Sequence, residues 1–271
     1  MSDIVLSSGV RANLLQLQQT SDLITQTQTR LATGKRVNSA LDNPINFFTA
    51  QGLSVRANDL NSLLDSMSTG INTIQAANNG ITSITKMVQS AQSLVSQAQQ
   101  TTDPTVRATL ASQFNALLGQ IDQLAGDSGI NGINLLGGND LTITLNETGV
   151  STVTITGVDD TVAGDLAIGN ATNNWAAASD VTVASTDLTA ALVTLRSQSQ
   201  ALSANLQTVQ VRQDFTKAMI NTLQSGADSL TLADSNEEGA NLLALQTRQQ
   251  LSTTALSLAA QADQNVLRLF R

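Results

Sequence analysis

The sequence predicts a mainly α-helical protein: a long antiparallel coiled-coil rod formed by the N- and C-terminal segments, with a small β-hairpin-containing insert between them. Three observations support this fold class. Apolar residues recur at alternating four- and three-residue intervals in both halves of the chain, which is typical of helices that pack along a seam. A short break near each end separates a terminal helix from a longer one. Between the halves the pattern changes to apolar–polar alternation, which is typical of strands.

The composition excludes several kinds of chemistry. Only 13% of the 271 residues are charged, against about 25% in an average soluble protein. The chain has no Cys, His or Tyr, so thiol chemistry, imidazole acid–base catalysis and Cys/His zinc sites are ruled out by inventory. We therefore expect no enzymatic activity, no catalytic residue, no cofactor and no metal site.

The charge pattern limits the partners. The net charge is −8, and between Arg107 and Arg196 there are nine Asp or Glu residues but no Lys or Arg. Nucleic-acid binding needs clustered cations, so we expect no nucleic-acid partner. No apolar run is long enough to cross a membrane, so we expect no membrane insertion. The N-terminus has no basic flank before a continuous apolar stretch, so we expect no cleavable signal peptide. If the protein leaves the cell, we expect a route that does not read such a signal.

The first helix is predicted from a seam that ends at a glycine. Gly34 is a good residue to follow a helix end, and Lys35 and Arg36 lie beside its negative pole. The seam has strict 4,3 spacing and consists of Val10, Leu14, Leu17, Ser21, Ile24, Gln28 and Leu31.

The second helix begins at Pro44, which the first turn of a helix accepts, with Asn43 as its N-cap. Continued to about Gln100, it would be about 85 Å long. A second apolar stripe from Ile84 to Ala98 predicts more than one helical partner. The main seam comprises Leu53, Ala57, Leu60, Leu64, Met67, Ile71, Ile74, Asn78, Ile81, Thr85, Val88, Gln92 and Val95.

A third helix and a different pattern follow. Asp103-Pro104 predicts a helix start, and Gly126 and Gly129 predict its end after Leu124. From Leu141 to Ala184 short alternating runs such as LTITL and VTIT predict hairpins. The single tryptophan, Trp175, is expected to fill the core of this insert rather than to anchor a ligand.

Helical heptads then return and mirror the first half. They run from Leu188 to Leu230, break at Asp234-Ser235-Asn236, and resume in a final helix. The symmetry predicts three domains: a terminal helical domain (1–43 and 235–271), a helical rod domain (44–140 and 187–234) and a small outer β-rich insert (141–186).

The terminal helices present apolar seams that only chain breaks connect to the rod. Isolated helices are marginally stable in water, so we expect these seams to be buried between subunits. The predicted subunit-interface residues are Val10, Leu14, Leu17, Ile24, Leu31, Leu245, Leu251, Leu256, Leu258, Val266, Leu269 and Phe270.

Three stretches of the chain resemble bacterial flagellins. LATGKRVNSALDNP (31–44) is similar to the hinge between the family's terminal and rod domains. The resemblance implies that Gly34, Asn43 and Pro44 form this hinge and that the terminal domain is the polymerisation domain. INGINLL (130–136) is similar to a turn at the outer part of the rod, with Ile130 in place of the usual Phe. LQTRQQLSTTALSLAAQADQNVLRLFR (245–271) resembles the flagellin C-terminus, including its final Leu-Phe-Arg.

The resemblance implies a secreted structural subunit that self-assembles into the extracellular flagellar filament for motility. It also implies export through the flagellar type III apparatus, with a secretion chaperone, the filament cap and hook-junction proteins as partners. Two alternatives remain at this point, a hook–filament junction protein and a soluble coiled-coil adaptor.

Overall fold

The computed structural model describes the backbone of residues 8–269, together with all side chains in that range except those of residues 263 and 266–269. The helices are α1 (Ser8–Thr33), α2 (Pro44–Gln100), α3 (Pro104–Asp127), α4 (Ala178–Thr231) and α5 (Ser235–Leu269). Two strands, β1 (Leu141–Thr144) and β2 (Thr152–Ile155), and a 3-10 turn at Thr172–Trp175 lie between α3 and α4. The predicted fold class is therefore confirmed.

The described chain divides into two compact units. The central unit comprises residues 56–221, and the terminal unit comprises the residues before and after them. The helices α2 and α4 contribute residues to both units.

In the central unit, α2 and α4 run antiparallel. Ser199 Oγ lies 2.8 Å from Asn78 Oδ1, and Gln213 Nε2 lies 2.9 Å from Ser68 Oγ. Residue numbers thus rise along one helix as they fall along the other. Asn78, Ser199 and Gln213 interrupt the predicted seams, and here these polar side chains pair across the interface, which satisfies groups that would otherwise be buried without partners.

The predicted second stripe on α2 faces the third helix. Ile84, Ala91 and Ala98 are buried in one core with Phe114 and Leu118 of α3. The helix α3 starts at an N-cap in which Asp103 Oδ1 accepts from the Thr105 backbone N–H at 2.8 Å. The helix α2 thus packs against both α4 and α3, which explains why it needs a second apolar stripe besides its heptad seam.

The turn that follows α3 closes its carboxyl end. Asn131 (φ 53°) and Gly132 (φ 81°) form a tight turn in which Ile130 and Ile133 exchange backbone hydrogen bonds of 3.0 Å. The side-chain amide of Asn134 then donates to the carbonyls of Ala125 and Gly126, at 2.8 and 3.0 Å. These bonds satisfy two carbonyls that a helix end leaves unpaired.

The hairpin packs one face onto α2. The strands pair antiparallel, with Leu141 opposite Ile155 and Ile143 opposite Val153. Leu141, Ile143 and Ile155 are buried, whereas the threonines between them face outward. A Cβ at Gly70 of α2 would clash with the Ile143 side chain. Gly70 thus allows the strand to approach the helix closely.

The prediction of hairpins continuing to Ala184 is wrong for its last part, because α4 already begins at Ala178. The β-branched run VTVAST favoured a strand. In the folded chain Val181, Ala184 and Leu188 recur at helical spacing and are buried in the core. The hydroxyl of Thr182 donates to the carbonyl of Ala178 at 3.0 Å, so it is compatible with the helix.

Trp175 fills the core, as predicted. It is fully buried, and its ring lies against that of Phe114, with centroids 5.0 Å apart. Such tilted aromatic contacts add to the stabilisation from buried area. Trp175 shares this core with residues of α3. The segment that precedes α4 therefore packs against α3 and not only against the hairpin.

Candidate functional site

The terminal unit pairs α1 with α5 in antiparallel orientation. At one end of the pair, Arg30 Nη1 lies 3.0 Å from Glu238 Oε1. Asp234 caps α5, its Oδ1 accepting from the Asn236 backbone N–H at 2.8 Å. Glu238, in the first turn of α5, also interacts favourably with the positive pole of that helix.

The seam of α1 has a different phase from the predicted one. Val10 and Ile24 are buried as expected, but the other buried residues of this helix are Thr20 and Thr27. The hydroxyl of Thr20 donates to the carbonyl of Gln16 at 2.8 Å, so it can be buried without a further partner. Small seam residues let the helices approach closely, and this turns Leu14, Ser21 and Gln28 to the exposed side.

The structure places the predicted interface residues in three environments. Val10 and Ile24 are buried within the chain, and Leu17, Leu31, Leu245 and Leu256 are half-buried. Leu14, Leu251 and Leu258 are exposed. The side chains of Val266 and Leu269, and all of Phe270, lie outside the described residues.

Additional exposed leucines occur on both terminal helices. The outward leucines, meaning those at least 39% exposed, are Leu14, Leu15, Leu23, Leu243, Leu251 and Leu258. Sequence reasoning missed three of them, Leu15, Leu23 and Leu243, because it followed one seam. The sequence does contain an indication of them, because these three leucines lie outside the 4,3 spacing of the seam.

The predicted hinge residues lie in one hydrogen-bonded connection. Gly34 has φ +66°, which favours glycine, and its carbonyl accepts from the Ala233 backbone N–H at 3.0 Å. The Arg36 N–H donates to the carbonyl of Thr231 at 2.7 Å. The two chain breaks in the terminal unit are therefore bonded to each other.

The start of α2 is capped as the sequence predicts. Asn43 Oδ1 accepts from the Asn46 N–H at 3.0 Å, and Pro44 is the first helical residue. Just before it, the carboxylate of Asp42 accepts from the N–H groups of Ser39 and Asn38, at 2.9 and 3.0 Å. These bonds lower the pKa of Asp42.

Within the described residues, no group of three or more Asp or Glu side chains is arranged to hold a metal ion. None of the described helices combines the length and hydropathy needed to span a membrane.

The sequence of the chain is similar to known proteins along its whole length. Residues 7–140 match the family model of the bacterial flagellin N-terminal helical region. The flagellin FljM of Caulobacter vibrioides is 30% identical over 274 residues, which cover 100% of this chain and 99% of that protein. The chain belongs to the flagellin family. A flagellin of Brucella melitensis is 26% identical over 286 residues, covering 100% of both chains.

The crystal structure of Bacillus cereus flagellin is a structural neighbour with a TM-score of 0.48 and 22% identity, covering 57% of this chain and 88% of that one.

This flagellin is a structural subunit of the bacterial flagellar filament. The full-length matches are to proteins named flagellin, which favours the filament subunit over the hook–filament junction protein and the adaptor. Flagellins are structural proteins rather than enzymes. They polymerise with copies of themselves, and the filament that they form is extracellular.

Proposed function

We propose that this flagellin polymerises through α1 and α5, whose outward leucines pack against neighbouring subunits. One observation carries the proposal. The two helices already bury a seam against each other, yet the outward leucines remain exposed on their other sides. Leu251 is 66% exposed and Leu258 is 62% exposed. Among the described residues, six of the eight exposed leucines lie on these two helices. An excess of large exposed apolar side chains in one part of a molecule is typical of an interaction site.

The energetics favour burial of these leucines between subunits. Fully burying one leucine side chain contributes about 1.5–3 kcal/mol. Several such residues per subunit, repeated along a filament, would offset the loss of translational and rotational freedom on assembly. The low charge of the chain also limits the desolvation cost of a crowded contact. The proposed interface therefore comprises the outward leucines together with the residues predicted from sequence, apart from Val10 and Ile24, which the chain itself already buries.

The three-domain division follows the same proposal. Residues 1–43 and 235–271 would form the inner part of the filament, residues 44–140 and 187–234 its wall, and residues 141–186 its outer surface. The bonded hinge around Gly34, Asn43 and Pro44 would set the orientation of the terminal helices. Its hydrogen bonds to Thr231 and Ala233 support this role.

Export and assembly factors complete the proposal. The subunit would pass unfolded through the flagellar type III apparatus. A secretion chaperone would shield the apolar face of α5 before export. The cap and hook-junction proteins would contact the two ends of the growing filament. The absence of cysteine supports unfolded export, because no disulfide has to be reduced or re-formed.

Seeded polymerisation of purified protein tests the interface. We expect Leu251→Asp to raise the critical concentration for filament growth at least about tenfold, because transfer of a carboxylate from water into a subunit contact carries a large desolvation cost. Thr253→Asp is the matched control, since it places the same charge at an exposed polar position of α5. Sedimentation and electron microscopy measure assembly, and circular dichroism checks that helicity is unchanged. Normal filament growth by Leu251→Asp would remove this leucine from the interface.

A further inference from the structure

One pocket of the central unit lies outside the surfaces described above. It forms where the loop between β1 and β2 meets α2 and α4, and its lining includes Arg56, Leu60, Leu145, Glu147, Arg212 and Phe215. Arg56 Nε contacts Glu147 Oε1 at 2.6 Å, so this arginine is already paired. Arg212 forms no ion pair within the described part of the chain. Phe215 is 56% exposed beside it. The pocket thus offers one available cation next to an exposed aromatic ring.

A complementary surface lies elsewhere in the same unit. It is a tight turn, here called the acidic turn (159–165), closed by a hydrogen bond of 3.1 Å from the Gly164 N–H to the Thr161 carbonyl. Asp159 and Asp165 flank its tip and are exposed. Asp165 Oδ2 accepts from the Asp159 backbone N–H at 3.2 Å, and Asp159 Oδ1 accepts from the Thr161 hydroxyl at 2.8 Å. These two bonds hold both side chains in place. Neither carboxylate forms an ion pair with any described residue.

The two surfaces are too far apart to meet within one chain. The pocket lies beside Arg56 of α2. The acidic turn follows Val158, whose N–H donates to Leu135. The neighbouring Leu136 packs against Gly80 of α2. From residue 56 to residue 80, a helix rises about 35 Å. A second copy, however, can bring its acidic turn to the pocket.

We propose that Arg212 and Phe215 receive the acidic turn of a second copy in a head-to-tail contact along the filament. This inference rests on the self-assembly proposed above. A guanidinium pairs well with carboxylates in a planar, two-bonded geometry, and a small turn tip can cover an exposed ring. Because the two surfaces differ and are displaced along the helices, the contact is heterologous and can repeat without closing. Charge complementarity would also fix which copies meet and in which register.

Charge reversal tests the contact. We expect Arg212→Glu alone, and Asp165→Lys alone, to raise the critical concentration for seeded growth about tenfold. The chain carrying both changes should regain growth to within about threefold of the wild type, because the reversed charges can pair. Arg196→Glu, at an exposed arginine of α4 outside the pocket, is the matched control and should change growth less than about twofold.

A milder variant tests whether Asp165→Lys acts only by disturbing the fold of the acidic turn. Asp165→Asn keeps the side-chain oxygen that accepts from Asp159, and it should raise the critical concentration about threefold. If the wild type forms filaments and both Arg212→Glu and Asp165→Lys grow normally, the contact between Arg212 and the acidic turn is wrong. The terminal-helix proposal would be unaffected by that result. Impaired single variants that the double variant does not rescue would overturn the acidic turn as the occupant. Failure of the wild type to assemble would overturn the terminal-helix proposal and this contact with it.

Discussion

The central and terminal units bury their helices in different ways. In the central unit, large side chains such as Met67, Ile74, Phe114 and Trp175 are fully buried by other parts of the same chain. In the terminal unit, the seam between α1 and α5 contains threonines, and the outward leucines are exposed. The central unit thus completes its core alone. The terminal unit leaves the outward leucines exposed, and the proposed subunit contact would cover them.

This difference separates folding from assembly within one chain. Burial of large side chains stabilises a unit by several kcal/mol for each residue, whereas a small-residue seam contributes much less. The subunit can therefore have a folded central unit while its terminal helices depend on neighbours for stability. Four predictions follow, from the largest expected effect to the smallest.

Phe114→Ala should destabilise the central unit by about 4 kcal/mol, because it removes a fully buried ring that contacts Trp175. Val193→Ala is the control, since Val193 is 60% exposed on α4. Chemical denaturation followed by tryptophan fluorescence measures both changes. Equal effects of the two variants would show that the core does not carry the stability of this unit.

Amide hydrogen exchange in the monomer should be at least about a hundredfold faster in α1 and α5 than in α3. Exchange reports the free energy of local opening, and a hundredfold difference corresponds to about 3 kcal/mol. After polymerisation, the amides of α1 and α5 should become protected. Equal protection of the three helices in the monomer would contradict the distinction between the two units.

Asp160→Asn should stabilise the central unit at pH 7 by at most about 3 kcal/mol. Asp160 is fully buried, and neither of its carboxylate oxygens has a hydrogen-bond partner among the described residues, although the Gln198 side chain lies near. Burial raises the pKa of Asp160 from 3.8 to about 6, with Asp165 and Asp159 adding to the rise. Each pKa unit corresponds to about 1.4 kcal/mol.

The sign of the pH dependence follows from this raised pKa. Between pH 3.8 and about 6 the folded chain holds the proton of Asp160 more tightly than the unfolded chain does. The free energy of unfolding should therefore fall as pH rises through this range. Asp160→Asn should remove the fall, whereas Asp127→Asn, at an exposed position, should leave it unchanged. Thermal unfolding between pH 4 and pH 7 measures both curves. The same pH dependence in the wild type and in Asp160→Asn would contradict the assignment.

Glu238→Gln should weaken the α1–α5 pair by less than about 1 kcal/mol, because Arg30 remains 27% exposed to solvent in the ion pair. Glu237→Gln is the control, since Glu237 lies in the same helical turn but forms no ion pair among the described residues. A double-mutant cycle that combines Glu238→Gln with Arg30→Gln gives the coupling energy of the ion pair. Amide hydrogen exchange in α5 measures the stability of each variant. A coupling energy of zero would show that the contact does not stabilise the terminal unit.

Local signals in the sequence determined most of the elements. The spacing of apolar residues predicted each of the five helices in the described residues. Asn43, Asp103 and Gly34 marked helix ends correctly, because caps and left-handed turns depend on residues close in the chain. Polar interruptions at Asn78 and Ser199 fitted a helical interface, since their side chains pair with each other.

Tertiary contacts decided what the local pattern left open. Residues 178–184 combine β-branched residues with helical spacing, and burial of Val181 and Ala184 selected the helix. In α1, the leucine-based phase and the threonine-based phase share Val10, Leu17 and Ile24, and only the approach of α5 selected Thr20 and Thr27 for burial. The burial of Asp160 likewise depends on residues distant in sequence. The spacing of apolar residues shows that a segment is helical. Which face of that helix becomes buried depends on the helix that packs against it.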